Sequence, residues 1–217
     1  MTAIATRHER AGAPGIVLHA AAGYDFLLWL LTLGRETAFR KKMLRFAGLQ
    51  PGERVLDIGC GTGTLAITAK RQVGPKGTVC GVDASAEMLA RAEKKARRLG
   101  VDVSFKNGLA QRLPVPDAHF DVVVSTVMVH HLPKNSRREM AGEIRRVLKP
   151  GGRVLVIDFG REGENRKSIF DRIHGRHGRV DLIEVVDLLS SAGLKISESG
   201  AVGMLGLHFV LATVPCT

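Results

Sequence analysis

Long apolar runs are scarce in this sequence. The block Phe26 to Leu33 is apolar apart from Thr32, and a bilayer-spanning helix needs roughly 20 such residues, so this block alone does not span. Cysteine is nearly absent: Cys60, Cys80 and Cys216 are an odd set with no metal-ligand spacing, which excludes a disulfide framework and leaves small buried or tail residues. Aromatics make up only 5%, with one Trp and one Tyr, leaving little for base stacking and arguing against a nucleic-acid substrate. No repeat and no low-complexity tract is visible, and 45% hydrophobic with 24% charged residues is an ordinary composition for a soluble globular protein. Acidic residues are the other deficit. Against 32 Lys and Arg stand 21 Asp and Glu, a formal net charge of +11, which raises the prospect of a polyanionic partner such as nucleic acid or an anionic membrane. The opening MTAIATRHERAGAPG lacks the basic-then-apolar order of a secretory signal, so a cytoplasmic protein is expected.

What the chain does contain is rhythm. At 217 residues it suits one α/β core with appendages. From residue 50 onward short β-rich runs alternate with longer helical patterns, as in a parallel sheet covered by helices. Arg54 to Gly59, Thr78 to Asp83, Val103 to Asn107, Phe120 to Thr126 and Gly152 to Phe159 read as strands. SAEMLARAEKKARRLG reads as a helix with Ser85 as N-cap, ending at Gly100. The next helix is placed from Asn135 or Ser136 to the stop at Pro150-Gly151-Gly152. Beyond a polar, Gly-rich stretch, DLIEVVDLLSSAGL is amphipathic, and KISESGAVG and GLHFVLATV can pair as a closing antiparallel hairpin. Upstream, Ile16 to Leu33 and Glu36 to Phe46 read as two helices parted near Gly34. The expected architecture is Rossmann-like and doubly wound: a mostly parallel seven-stranded sheet with an antiparallel edge hairpin. Residues 1–48 form a helical lid and 49–217 the main domain.

Chemistry concentrates in VLDIGCGTGTLA. Gly59, Gly61 and Gly63 follow a buried strand and open a helix, so backbone can approach a ligand closely. The dinucleotide fingerprint G-x-G-x-x-G would require Gly where Thr64 stands. Asp57 ends the strand where a carboxylate suits a ligand amine, and Asp83 ends the next strand, where an acid can hold both hydroxyls of a ribose.

These residues, together with GVDAS, LPVPDAHFDVVVS and EIRRVLKPGGRVLVIDF, resemble the class I S-adenosylmethionine-dependent methyltransferases. The likeness runs from about Gln50 to Phe159 and more loosely to the end. The YD ahead of a Gly and basic residues, with LPVPDAHFD and HHL, looks like the branch that methylates ubiquinone and menaquinone precursors, and like bacterial phospholipid N-methyltransferases. The resemblance implies S-adenosyl-L-methionine as cofactor, with Gly59, Gly61 and Gly63 along its methionine and ribose, Asp83 on the ribose, and Ala84 and Met88 against adenine. Ala110 would offer backbone to the adenine edge and Ser125 would lie under the methionine. In many relatives the third strand leads into G-D-A, whose Asp binds the adenine amino group. Here Leu109 takes that place in NGLAQRLP, with Asn107 or Gln111 as substitutes.

Methyl transfer from a sulfonium releases a neutral thioether, so no acid is needed for departure, and catalysis rests on positioning. A base matters only where the acceptor must lose a proton. His130, His131 and Tyr24 are the candidates, with His19 beside Tyr24; His131 reads more readily as a residue tying the loop to the next helix. No metal is expected. The N-terminal pair would cover the carboxyl ends of the strands, dipping Trp29 and its leucines into an anionic membrane while Arg35, Arg40, Lys41, Lys42 and Arg45 meet headgroups. The acceptor is then small and hydrophobic or lipid-like: a quinone precursor or a phospholipid amine. A nucleic-acid methyltransferase and a non-catalytic cofactor-binding protein are the alternatives.

Overall fold

The computed structural model describes residues 36–160, 180–203 and 206–216. It begins with α1 (Glu36–Ala47). Phe39, Met43, Leu44 and Ala47 of this helix are buried, packed with Val55, Val122, Val124 and Leu155 on one face of the sheet. Burying each large side chain contributes roughly 1.5–3 kcal/mol, enough to make α1 part of the core. Its far end is clamped. Arg153 donates from Nε to Ala47 O at 2.6 Å and from Nη2 to Gly48 O at 2.8 Å, and also pairs with Glu53.

Five further segments follow the expected alternation: β1 (Arg54–Ile58), α2 (Thr64–Val73), β2 (Thr78–Asp83), α3 (Ala86–Arg98) and β3 (Ser104–Asn107). The Ser85 side chain accepts from Met88 N, capping α3 as its sequence indicates. Then come β4 (Phe120–Thr126), a short 3-10 turn (Val129–His131), α4 (Lys134–Val147), β5 (Leu148–Phe159), α5 (Leu182–Ser191), β6 (Lys195–Ala201) and β7 (Leu207–Thr213).

Two boundaries differ from the sequence reading. Helix α4 starts earlier, at Lys134, directly after Pro133, because proline's fixed φ suits a helix entrance and needs no donor there. It also stops earlier, at Val147, and β5 begins at Leu148 rather than Gly152. Leu148 pairs with Phe120, and the register shifts before Arg153 pairs with Val122. Pro150 and the left-handed Gly151 therefore sit within a strand irregularity.

The sheet order is β3-β2-β1-β4-β5-β7-β6. β1 to β5 pair in parallel, while β7 runs antiparallel to both β5 and β6. The expected closing hairpin is present, inserted so that β6 forms the edge. Chain order reverses between β1 and β4, and ligands in open α/β sheets bind outside the carboxyl ends at such a reversal. Among the described residues, no helix is long and apolar enough to cross a membrane.

Candidate functional site

The carboxyl ends of β1, β2 and β4 meet at the glycine turn. Gly59, Gly61 and Gly63 have φ of 72°, 52° and 76°, the left-handed region that side chains rarely adopt. Two of them are also hemmed in. A Cβ on Gly59 would lie 2.3 Å from Met128 Cγ, and one on Gly63 would lie 2.8 Å from Ala92 Cβ. The turn is thus held close to α3 and to Met128, just beyond β4.

Asp83 ties the turn down. Its Oδ2 accepts from Gly61 N at 2.8 Å and its Oδ1 from Ser85 N at 2.9 Å. An ionised carboxylate has about four acceptor positions, so each oxygen can still accept from a ligand hydroxyl. Asn107 Nδ2 donates to Asp83 O and Ala84 O, both at 3.0 Å. Its amide hydrogens therefore hold the end of β2. Ala84 is exposed beside Asp83, Met88 is buried beneath the first turn of α3, and Ala110 is half-buried. Leu109 is 41% exposed and bridges to Arg112.

Asp57 stands differently. It is 1% exposed, and its Oδ2 has no hydrogen-bond partner among the described residues. Burial pushes its pKa up to about 7, opposed by the Arg40 guanidinium. Arg40 is itself 7% exposed and donates from Nη1 to Thr126 Oγ1 at 3.4 Å. The headgroup role expected of Arg40 does not agree with this burial: the side chain enters the protein on the same stripe as Met43, Leu44 and Ala47. Lys41 and Arg45 remain exposed. A small cavity of about 20 Å³ lies between Arg40, Asp57, Thr126 and the turn residues Gly59, Gly61 and Thr62.

Strand alternation separates Ser125 from Thr126. Val122 and Val124 share the core with α1, whereas Val123 belongs to the opposite face. Thr126 therefore faces the cavity. Ser125, fully buried with its Oγ unpartnered among the described residues, is on the far side.

Past β4 the backbone is strained. Val127 has φ of 55°, an outlier for a β-branched residue, pinned by its N–H donating to Ile157 O at 2.7 Å. The turn lays Met128 against Gly59 and delivers His130 to Asp158 at the end of β5. His130 Nδ1 lies 2.7 Å from Asp158 Oδ1, and both side chains are about 5% exposed or less. A carboxylate without a proton only accepts, so Nδ1 carries the hydrogen and Nε2 is left as the second ring position. Asp158 also accepts from His130 N and Phe159 N. The His131 ring lies 3.9 Å from that of His130. Tyr24, His19, Trp29 and Arg35 fall outside the described residues. Among those described, no group of three or more His, Cys, Asp or Glu could hold a metal ion.

The sequence reading missed Arg40, Thr126 and Asp158. Arg40 was legible as the one charge on the stripe 40, 43, 44, 47, and Thr126 as the residue two beyond Val124, the register partner of Asp57.

Comparison with known proteins bears on this geometry. Residues 55–152 match the family model of a methyltransferase domain. In that span the chain has the signature of a methyltransferase domain, and it is similar to the class I S-adenosylmethionine-dependent methyltransferases. It is 39% identical over 142 residues to the ubiquinone/menaquinone biosynthesis C-methyltransferase of Bdellovibrio bacteriovorus, covering 64% of this chain and 58% of that protein. To the protein of that name from Pseudomonas aeruginosa it is 38% identical over 163 residues, covering 74% and 63%. The chain thus spans about three fifths of these relatives' length. A solved S-adenosylmethionine-dependent methyltransferase from Aquifex aeolicus superposes with a TM-score of 0.73 at 26% identity, covering 88% of this chain and 97% of that one. The fold alone does not dictate the reaction: the [4+2]-cyclase SpnF shares it at a TM-score of 0.69 and 22% identity. S-adenosylmethionine is the cofactor implied by the domain, and the residues present fit it. The left-handed glycines leave room for backbone approach, Asp83 has spare acceptor positions, and the unpartnered Asp57 oxygen suits an ammonium.

Proposed function

We propose that this protein methylates a reduced quinone precursor on a ring carbon, using S-adenosylmethionine. The support for the acceptor class is the identity to ubiquinone/menaquinone biosynthesis C-methyltransferases of two organisms, and the observation that carries a carbon acceptor is the buried His130–Asp158 pair. Ring carbon is a weak nucleophile until a neighbouring hydroxyl gives up its proton, so a base near the methyl has work here that it lacks for an already nucleophilic amine.

When bound, S-adenosylmethionine supplies an electrophilic methyl on a sulfonium whose departure needs no acid. Gly59, Gly61 and Gly63 line its methionine and ribose, and Asp83 accepts from the ribose hydroxyls. Ala84 and Met88 face the adenine, and Ala110 offers backbone at its edge. Leu109 gives that edge an apolar neighbour. A neutral hydrogen bond is worth about 0.5–1.5 kcal/mol net, so its loss at Leu109 weakens binding by about tenfold at most. Thr126 replaces Ser125 as the β4 residue nearest the methionine end. His130 Nε2 would take the acceptor's hydroxyl proton and Asp158 would hold the imidazole's orientation; the bound cofactor would supply the methyl to the ring carbon, whose own hydrogen then passes to the deprotonated oxygen as the ring becomes aromatic again. His131 packs on His130.

The test is a turnover assay with radiolabelled S-adenosylmethionine and three acceptors: a reduced demethylmenaquinone analogue, phosphatidylethanolamine vesicles, and RNA. Label on the quinol carbon, lost in His130→Ala, supports the proposal. Label only on the lipid amine or on RNA overturns it.

A further inference from the structure

Helices α4 and α5 pack on the sheet face opposite α1. α4 links the parallel strands β4 and β5, and α5 leads from β5 to β6, which runs parallel to β5 across the antiparallel β7. Both helices therefore run back against the strands and parallel to each other, their first turns joined by Arg137 and Glu184 at 2.7 Å. Between them lies a groove of about 770 Å³ with Ile183, Leu188 and Ala192 along it. Its α4 wall is basic, with Lys134 and Arg138, and its α5 wall is acidic, with Asp181 and Asp187. Lys134, Arg138 and Asp187 are exposed and have no ion-pair partner among the described residues. Two features of the groove serve no contact within the described chain. Ile183 is 67% exposed. Gly142 lies in the interior of α4, where glycine is disfavoured, yet a Cβ on it would meet nothing within 4 Å. An exposed apolar side chain and a bare stretch of helix suit another helix laid close against this pair.

We infer that the α4–α5 groove is a dimer interface, closed by the same two helices of a second copy of this chain. Charge decides the occupant. A two-fold axis along the groove sets α4 of each copy over α5 of the other at the same height, so Lys134 and Arg138 meet the second copy's Asp181 and Asp187 on both sides of the axis. Such an isologous contact is self-complementary, whereas a helix of one charge from another protein would meet one wall with like charge. Ile183 and Leu188 supply the apolar centre, and Gly142, opposite the second copy's Ser191 and Ala192, lets the helices close. Each copy carries a formal net charge of +11, so the copies repel at long range and only this locally paired face brings opposite charges together.

The experiment is sedimentation equilibrium of the full chain over a range of concentrations, for wild type, Arg138→Glu, Asp187→Arg, Ile183→Asp and an equal mixture of the two charge reversals. Wild type is expected to reach twice the 23.4 kDa chain mass. Arg138→Glu alone and Asp187→Arg alone should each stay monomeric, because each places like charges across the axis twice. Their mixture should dimerise again, since every contact then joins opposite charges. Ile183→Asp should weaken the dimer with an unfolding curve that matches wild type, as its exposure requires. A wild type that stays monomeric throughout overturns the inference, whether another part of the chain or a different protein's helix fills the groove. A dimer indifferent to both reversals overturns it as well, because the copies then meet elsewhere. Loss in each single variant without recovery in the mixture overturns the charge pairing that selects a second copy.

Discussion

Two carboxylates are buried at the carboxyl ends of central strands, and they are treated in opposite ways. Asp158 ends β5 with an amide, a second amide and an imidazole all donating to it. Asp57 ends β1 with one oxygen unpartnered among the described residues and its pKa pushed up to about 7 by burial. They lie on opposite faces of one sheet, Asp158 with Val154 and Val156, Asp57 with Val55. A satisfied carboxylate positions its neighbour; an unsatisfied one waits for a partner from outside. Asp83 is intermediate, since it already accepts from two amides and has room for more.

Replacing Asp158 sharpens the contrast most. Asp158→Asn keeps the shape while allowing His130 to turn or change tautomer. The expected loss is about 10²- to 10³-fold in kcat, within the range of general-base catalysis, with KM for the cofactor unchanged. Next comes Asp83→Ala, expected to weaken S-adenosylhomocysteine by about 100-fold, because two ribose hydrogen bonds to a charged acceptor disappear. Calorimetry reads it directly.

Asp57→Asn should split stability from binding. With its folded-state pKa raised from 3.8 to about 7, Asp57 binds more protons folded than unfolded between those values. Stability therefore falls as pH rises through that window and levels off above it. The Asn variant escapes the decline. It should unfold at higher temperature than wild type at pH 8, by an amount on the order of 2 kcal/mol, show little difference near pH 4, and bind the cofactor poorly. A variant no more stable at pH 8 would mean that Arg40 already neutralises Asp57 and that the two carboxylates are alike.

The smallest effect belongs to Ser85→Ala. The backbone N–H that supports Asp83 survives the change, and only the cap on Met88 N is lost. A drop of about 1 kcal/mol in unfolding free energy, with cofactor affinity retained, would separate support of the helix from support of the carboxylate.

Most of the fold was legible because period and punctuation agreed. Arg54–Ile58 sets Val55, Leu56 and Ile58 just before a glycine turn, and the Ser85 cap, the α3 stripe and the closing hairpin each had a local signal. The start of β5 was not, since Pro150 and Gly151 read as a stop and nothing local reveals that Leu148 pairs with Phe120. In the site, Asp57, Asp83 and the glycines announce themselves by residue type. Arg40 hides among Lys41, Lys42 and Arg45, where a charge cluster reads as a wet surface, and only its place on the buried stripe sets it apart. Asp158 needed β5 to lie beside β4, a long-range fact, before its approach to His130 could be seen.

The edges of the sheet have a consequence for behaviour at high concentration. β3 presents Ser104, Lys106 and Asn107 outward, and β6 presents Lys195, Ser197, Glu198 and Ser199, with its pairing to β7 shifted between Ile196 and Glu198. Short, charged or irregular rims are poor templates for another chain's strand. The molecule keeps its long, apolar central strands flanked on both sides, so when crowded it resists growing into a fibre edge to edge.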